Sequence, residues 1–210
     1  ADRLKAGESC ALITDAGMPA ISDPGEDIVR LCADAGITVT TVPGPTALIS
    51  ALALSSLTTS KFCFEGFLSA KLSEKERRLS ELKNEVRTVI YYEAPHKLKD
   101  TLSAMVKILG EDRKIAVCRE LTKLNEEIRR TTLGGALKYY GENEPRGEYV
   151  LVVEGACATA IDEENPLLLL SEEEHVKHYE KEGLKRMDAI KAAAKDRGIS
   201  KSELYGRVNK

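Results

Sequence analysis

The chain has 210 residues, enough for one large domain or two small ones with a proper core. Hydrophobic residues make up 42% and charged residues 31%, as in ordinary soluble globular proteins, and no apolar run approaches the ~20 residues of a membrane span. A net charge of −3 argues against indiscriminate nucleic-acid binding and leaves room for a local basic patch. The opening ADRLKAGESCALIT has no long apolar stretch with a small-residue cleavage site, so no signal peptide is expected. Cys10, Cys32, Cys63, Cys118 and Cys157 are odd in number and lack C-x-x-C spacing; they read as reduced core thiols of a cytosolic protein.

Taken in chain order, residues 9–14 (SCALIT) read as a buried strand, followed by the loop DAGMPAISDPG. Ser22 or Asp23 can cap a helix with Pro24 at its first position, running to about Ala35, and Gly36 ends it. The β-branched stretch 37–42 (ITVTTV) predicts the next strand, and Pro43-Gly44-Pro45 turns into an Ala/Leu-rich helix over 46–54. Strand, helix, strand, helix implies a parallel α/β sheet. Beyond a polar break at 57–60, strands are predicted at 62–67, 88–92, 114–119, 128–132 and 148–154. Helices are predicted at 73–84, with Ser73 and Glu76 spaced as a capping box, and at 96–109. Around 156–166 the composition turns small and acidic, as in a linker, and three short helices follow at 172–182, 184–197 and 201–208.

The densest chemical signal is Asp15-Ala16-Gly17-Met18-Pro19 followed by Ser22-Asp23-Pro24-Gly25. Small residues after a strand let a ligand approach the backbone, and open α/β sheets bind ligands at strand carboxyl ends. A plain turn with a helix cap accounts for the same residues. Pro43 to Ala47 holds the equivalent place after the next predicted strand, though Pro and Gly are common turn formers. His175 and His178 lie three apart on a helix with no third ligand type nearby; they read as surface residues, and no metal is expected.

The ordered series DAGxP–SDPG, VPGPTALISAL, FxGF, YYEAPHKL, CRELTKLNEEI and RGEYVLVVEG resembles the 16S rRNA 2′-O-ribose methyltransferase I family of the tetrapyrrole methylase superfamily, over nearly the whole chain. That family opens with a PIGNLxDIT strand and loop and an AEDTR segment, which are not found here. The resemblance therefore implies two α/β domains, the first incomplete (1–58) and the second at 59–156, a linker at 157–170, and a helical basic tail at 171–210. It implies S-adenosylmethionine as cofactor, held by Asp15, Ala16, Gly17, Met18, Pro19, Thr46 and Ala47. From the second domain it adds Tyr92, Leu121, Gly147, Glu148 and Tyr149. The substrate implied is a decoding-region cytidine of 16S rRNA within the 30S subunit, the enzyme a cytoplasmic homodimer.

The sulfonium carries the methyl group's reactivity, and the protein must align it with the ribose oxygen and help the hydroxyl lose its proton. Candidates are Glu93, His96, Arg119 and Glu120. Helix capping is the alternative for Glu93 and His96, and a structural ion pair for Arg119 and Glu120. Lys97 and Lys123 are expected near the RNA, although Lys123 and Glu127 also read as solvated loop charges. In the tail, Lys185, Arg186, Lys191 and Lys195 form a basic face on a helix pair divided at Gly198, with Met187, Ile190, Ala194 and Leu204 facing inward. A tetrapyrrole-precursor methylase and a non-catalytic RNA-binding remnant are the two rival readings. The basic tail and the YEAPHK–RELTK pair disfavour the first, and cofactor binding would separate the second.

Overall fold

A computed structural model describes residues 2–157 and 166–208. The chain divides into two compact units, Ala1–Gly155 and Ala156–Lys210. Most of the expected linker, and the last two residues of the tail, lie outside the described residues. Among the described residues no helix is long and apolar enough to cross a membrane.

The first unit opens with helices α1 (Asp2–Lys5), α2 (Glu26–Asp34) and α3 (Ala47–Leu54). The strands expected at 9–14 and 37–42 do not form. Neither segment has a ladder partner among the described residues, and Ile13 and Val42 are exposed. β-Branched composition supplies a preference that only pairing and burial realise. The cap of α2 also differs from expectation: the helix begins after Gly25 at φ 145°, leaving Pro24 outside it and Ser22 at φ 61°.

Then come β1 (Phe62–Phe67), α4 (Leu72–Glu81), β2 (Thr88–Glu93), α5 (Pro95–Leu109), β3 (Lys114–Arg119), β4 (Glu127–Thr132), α6 (Leu133–Glu142) and β5 (Tyr149–Val153). They build one sheet of order β1-β2-β5-β3-β4, in which only the β1–β2 pair is parallel. The parallel sheet predicted from the early segments is thus a mixed sheet built downstream of them. The Ser73–Glu76 capping box is absent because α4 starts one residue early, after Lys71, and no side chain caps it. Helix α6 was not predicted: Gly134 and Gly135 depress helix propensity, but Thr132 caps it and Leu133, Ala136 and Tyr140 are buried.

Alternate strand residues face opposite layers. Val89, Tyr91, Ile115, Val117, Tyr149, Leu151 and Val153 pack with α4, α5 and α6. Ile90, Ala116, Cys118, Val150 and Val152 pack against Leu48, Ala51 and Leu52 of α3, with Tyr92 and Leu121 at the margin of this layer. Of the cysteines, Cys32 and Cys118 are core thiols as expected, whereas Cys10 and Cys157 are exposed.

The second unit contains a 3-10 turn (Pro166–Leu169) and helices α7 (Glu172–Lys181), α8 (Arg186–Asp196) and α9 (Lys201–Val208). Ser171 and Glu174 form the capping box that starts α7. Val176, Ala189, Ile190, Ala193, Ala194 and Leu204 make a separate small core. His175 is not a surface residue: it is fully buried, in contrast to the half-buried His178. Arg197 Nε donates to its Nδ1 at 3.0 Å, and its Nε2 faces Asp196 Oδ2 at 3.2 Å. Tyr179 stacks on the imidazole and donates its hydroxyl to the same Asp196 oxygen at 2.6 Å.

Burial holds the His175 imidazole below its ordinary value, against the opposing pull of Asp196. A lowered folded value means that the unfolded chain takes up the proton first as pH falls. The contribution to stability is complete above roughly pH 6.5 and is lost as pH drops through the lowered folded value. Thermal melts between pH 8 and pH 5 should show an acid limb that His175→Gln flattens. Parallel melting-temperature profiles for the two proteins would show that His175 does not carry it.

Candidate functional site

The sheet topology gathers the motifs at one edge. β1, β2 and β3 run the same way, so their carboxyl ends meet the start of β5, with Glu93 and Arg119 both opposite Tyr149. Tyr92, the turn at 119–121 and the segment 147–149 are thereby brought together.

The two early loops meet each other although their strands do not form. A Cβ on Gly17 would lie 3.6 Å from the Pro45 carbonyl oxygen, and one on Gly44 would lie 3.5 Å from Met18 Sδ. Gly17 has φ 76°, a region where a side chain is strained, and nothing else stands within 4 Å of its would-be Cβ. Asp15, Ala16, Gly17 and Ala47 are exposed, while Met18, Pro19 and Thr46 are half-buried. The same loop reaches the sheet margin, where a Cβ on Gly66 of β1 would lie 3.7 Å from Ser22 Oγ. Burial raises the Tyr92 hydroxyl above its ordinary value, while the backbone amide of Leu48 pulls the other way. Bare backbone and small side chains beside an aromatic margin can admit a flat or extended small ligand.

The named polar residues divide between the two layers. Glu93 and Lys75 are each only 3% exposed. Lys75 Nζ donates to Thr101 Oγ1 at 2.9 Å, Thr101 donates to Glu93 Oε2 at 2.5 Å, and the Ala94 amide donates to Glu93 Oε1 at 2.9 Å. This network lies on the α4–α5 side, away from α3. Arg119 lies on that side too, 3.4 Å from Glu127, which also binds Arg129 at 2.6 Å. The Arg129 guanidinium sits 3.4 Å above the Tyr139 ring. Tyr149 is 2% exposed, its ring against Tyr140 and its hydroxyl accepting from the Arg146 amide. Only its backbone borders the gathered edge.

Glu120 binds the two loops of that edge together. Its Oε1 accepts from the Glu148 amide at 2.9 Å and from Lys123 Nζ at 3.1 Å. These bonds, the amide first, hold the carboxyl below the usual range. Lys123 also reaches Glu148 at 2.9 Å, so the solvated loop charge expected from the sequence is exposed and also bridges the two loops. Gly147, at φ 78°, is required here: a Cβ would come within 2.5 Å of Glu120 Cγ. His96, in the first turn of α5, is exposed and has no hydrogen bond or ion pair among the described residues; Lys97 beside it is half-buried. Among the described residues no cluster of three or more His, Cys, Asp or Glu could hold a metal ion.

Sequence reasoning missed Lys75 and Thr101. Strand parity could have separated Tyr92 from Glu93; nothing in a charged helix marks Lys75 as buried.

The profile of the Tetrapyrrole (Corrin/Porphyrin) Methylases matches residues 1–137. The chain is 47% identical to Ribosomal RNA small subunit methyltransferase I of Bacillus subtilis (strain 168), over 96% of this chain and 69% of that protein. It is 40% identical to the protein of that name from Escherichia coli O157:H7, over 97% of this chain and 70% of that one. Among solved structures, the methyltransferase CobJ superposes with a TM-score of 0.56 at 18% identity, covering 73% of this chain and 68% of that one, a likeness of fold. A profile match over more than half of the chain, with relatives this similar over nearly all of it, places the chain in the ribosomal RNA small subunit methyltransferase I family of the Tetrapyrrole (Corrin/Porphyrin) Methylases.

Proposed function

We propose that this protein transfers a methyl group from S-adenosylmethionine to the 2′-oxygen of a cytidine ribose in 16S rRNA, acting on the 30S subunit as a cytoplasmic homodimer. The observation that carries the reading is the 47% identity to the Bacillus subtilis protein over 96% of the chain. In this reading residues 1–58 and 59–156 form the two sides of the cofactor cleft, 157–170 link, and 171–210 contact RNA.

The loops fit the cofactor by their bare backbone at Gly17 and their small neighbours Ala16 and Ala47. Thr46, Met18, Tyr92, Leu121 and the backbone of 147–149 complete the lining. When bound, the sulfonium supplies an activated methyl group. The chain's own task is orientation and proton removal. His96, exposed and without a partner among the described residues, is the candidate base for the 2′-hydroxyl. Glu93, Arg119 and Glu120 act as positioning residues: the first two are tied into the α4–α6 layer, and the third is held ionised by the Glu148 amide and Lys123.

Gly17→Val tests the cleft. A branched side chain at φ 76° costs about 1–3 kcal/mol in backbone strain and fills the open side of the loop. Calorimetric affinity for S-adenosylmethionine should vanish while the protein still melts cooperatively. Unchanged affinity would show that the loop is only a turn.

A further inference from the structure

The sequence FCFEGF carries three aromatic residues, and the strand it forms is not regular. The β1–β2 register shifts between Phe64 and Gly66, with Gly66 at φ 65°. Bulges of this kind sit at sheet edges and next to active sites, where they re-aim a side chain. The residue re-aimed here is Phe67, the last of β1. It pairs with Tyr92 at the carboxyl end of the parallel pair and remains 56% exposed. A lone exposed apolar side chain needs no explanation. This one is held in place from behind: its ring meets Tyr92 edge-on at 5.6 Å, and Tyr92 meets Phe64 edge-on at 4.9 Å. Beside it, Gly66 receives Ser22 of the SDPG segment, and the half-buried Tyr92 borders the α3 layer. A ring held edge-on by Tyr92, itself backed by Phe64, yet open on its own surface at the margin of the proposed cleft, is pre-organised for a flat π-system.

We infer that Phe67 is the platform on which the base of the target nucleotide stacks, setting the ribose toward the cleft. The inference rests on the proposed RNA methyl transfer. Enzymes that act on one nucleotide of a folded RNA hold it unstacked, and an aromatic face replaces the stacking it gives up. Base–aromatic stacking accounts for roughly tenfold to a hundredfold in affinity per base.

The test compares wild type with Phe67→Ala, Phe67→Leu and Phe67→Trp in melting temperature, calorimetric affinity for S-adenosylmethionine, and methyl transfer to unmodified 30S subunits. Ala and Leu should each raise the KM for subunits roughly tenfold to a hundredfold, with cofactor affinity and melting temperature kept, and Trp should restore it. Leu separates a π-face from mere apolar bulk: a Leu variant as good as wild type overturns the inference. So does an Ala variant with wild-type KM, or one whose loss is in cofactor affinity, since the ring would then hold the adenine. A wild-type protein that binds cofactor and methylates subunits while Phe67→Ala does the same sinks this inference alone. A wild type that transfers no methyl group sinks the functional reading and the inference together.

Discussion

Replacing Thr101 with valine should lower the stability of the first unit by about 3 kcal/mol and its melting temperature by about 6–12 °C. The hydroxyl is the bridge of the buried network: it accepts from Lys75 Nζ at 2.9 Å and donates to Glu93 Oε2 at 2.5 Å. Valine has nearly the same shape, so packing changes little, but an ammonium and a carboxylate oxygen each lose a partner inside the core. Leaving a buried charged group unsatisfied costs more than the same hydrogen bond contributes when made. Thr101→Ser keeps the hydroxyl and should stay within about 1 kcal/mol of wild type. The network also fixes the β2–α5 junction that presents Tyr92 and His96, so methyl transfer by Thr101→Val should fall even well below its melting point. A Thr101→Val protein as stable as wild type would mean that Lys75 and Glu93 close on each other directly.

The second large effect concerns RNA affinity. Lys185, Lys191 and Lys195 are exposed and carry no ion pair among the described residues, and Lys191 and Lys195 share one face of α8. Arg186 is different, since it pairs with Glu180 at 3.2 Å and its guanidinium reaches the Val208 carbonyl. Reversing the three lysines to glutamate should therefore deprive RNA phosphates of their cationic partners without touching the small core of α7, α8 and α9. For every phosphate left without its lysine, the log–log dependence of 30S-subunit affinity on salt should flatten by roughly 0.7–0.9 units. Three together should weaken binding on the order of a hundredfold to a thousandfold at about 0.1 M salt. Cofactor affinity should not move, because the proposed cleft lies wholly in the first unit. A salt titration with equal slope and affinity for both proteins would make the tail a structural cap. The RNA surface would then lie elsewhere, around Lys97 and Lys123.

Much of the fold is legible in the chain alone. The apolar runs at 88–92, 114–119 and 148–154 are short, β-rich and bounded by polar residues, and each is a strand within a residue or so. The ordered motifs identified the family, which the relatives then showed. Caps were less legible, because a capping box depends on the residue at which the helix starts: Ser73 falls inside α4, past its cap at Lys71, while Ser171 holds the cap of α7. The strands expected at 9–14 and 37–42 had the right composition and no partner to pair with among the described residues.

By itself, the sequence determined which segments alternate, which residues are small enough for a ligand to approach, and where the cations cluster, because these are properties of near neighbours in the chain. Only the tertiary structure decided which side of the sheet each polar residue faces. It set Glu93, Arg119 and Tyr149 in the α4–α6 layer and left Tyr92 and Leu121 beside α3. It also drew Gly17 against Pro45, Lys75 against Thr101, and Glu120 against Gly147. Partners so far apart in the chain are joined by the packing of helices on a sheet and by the need of each buried charge for a partner, neither of which local spacing encodes.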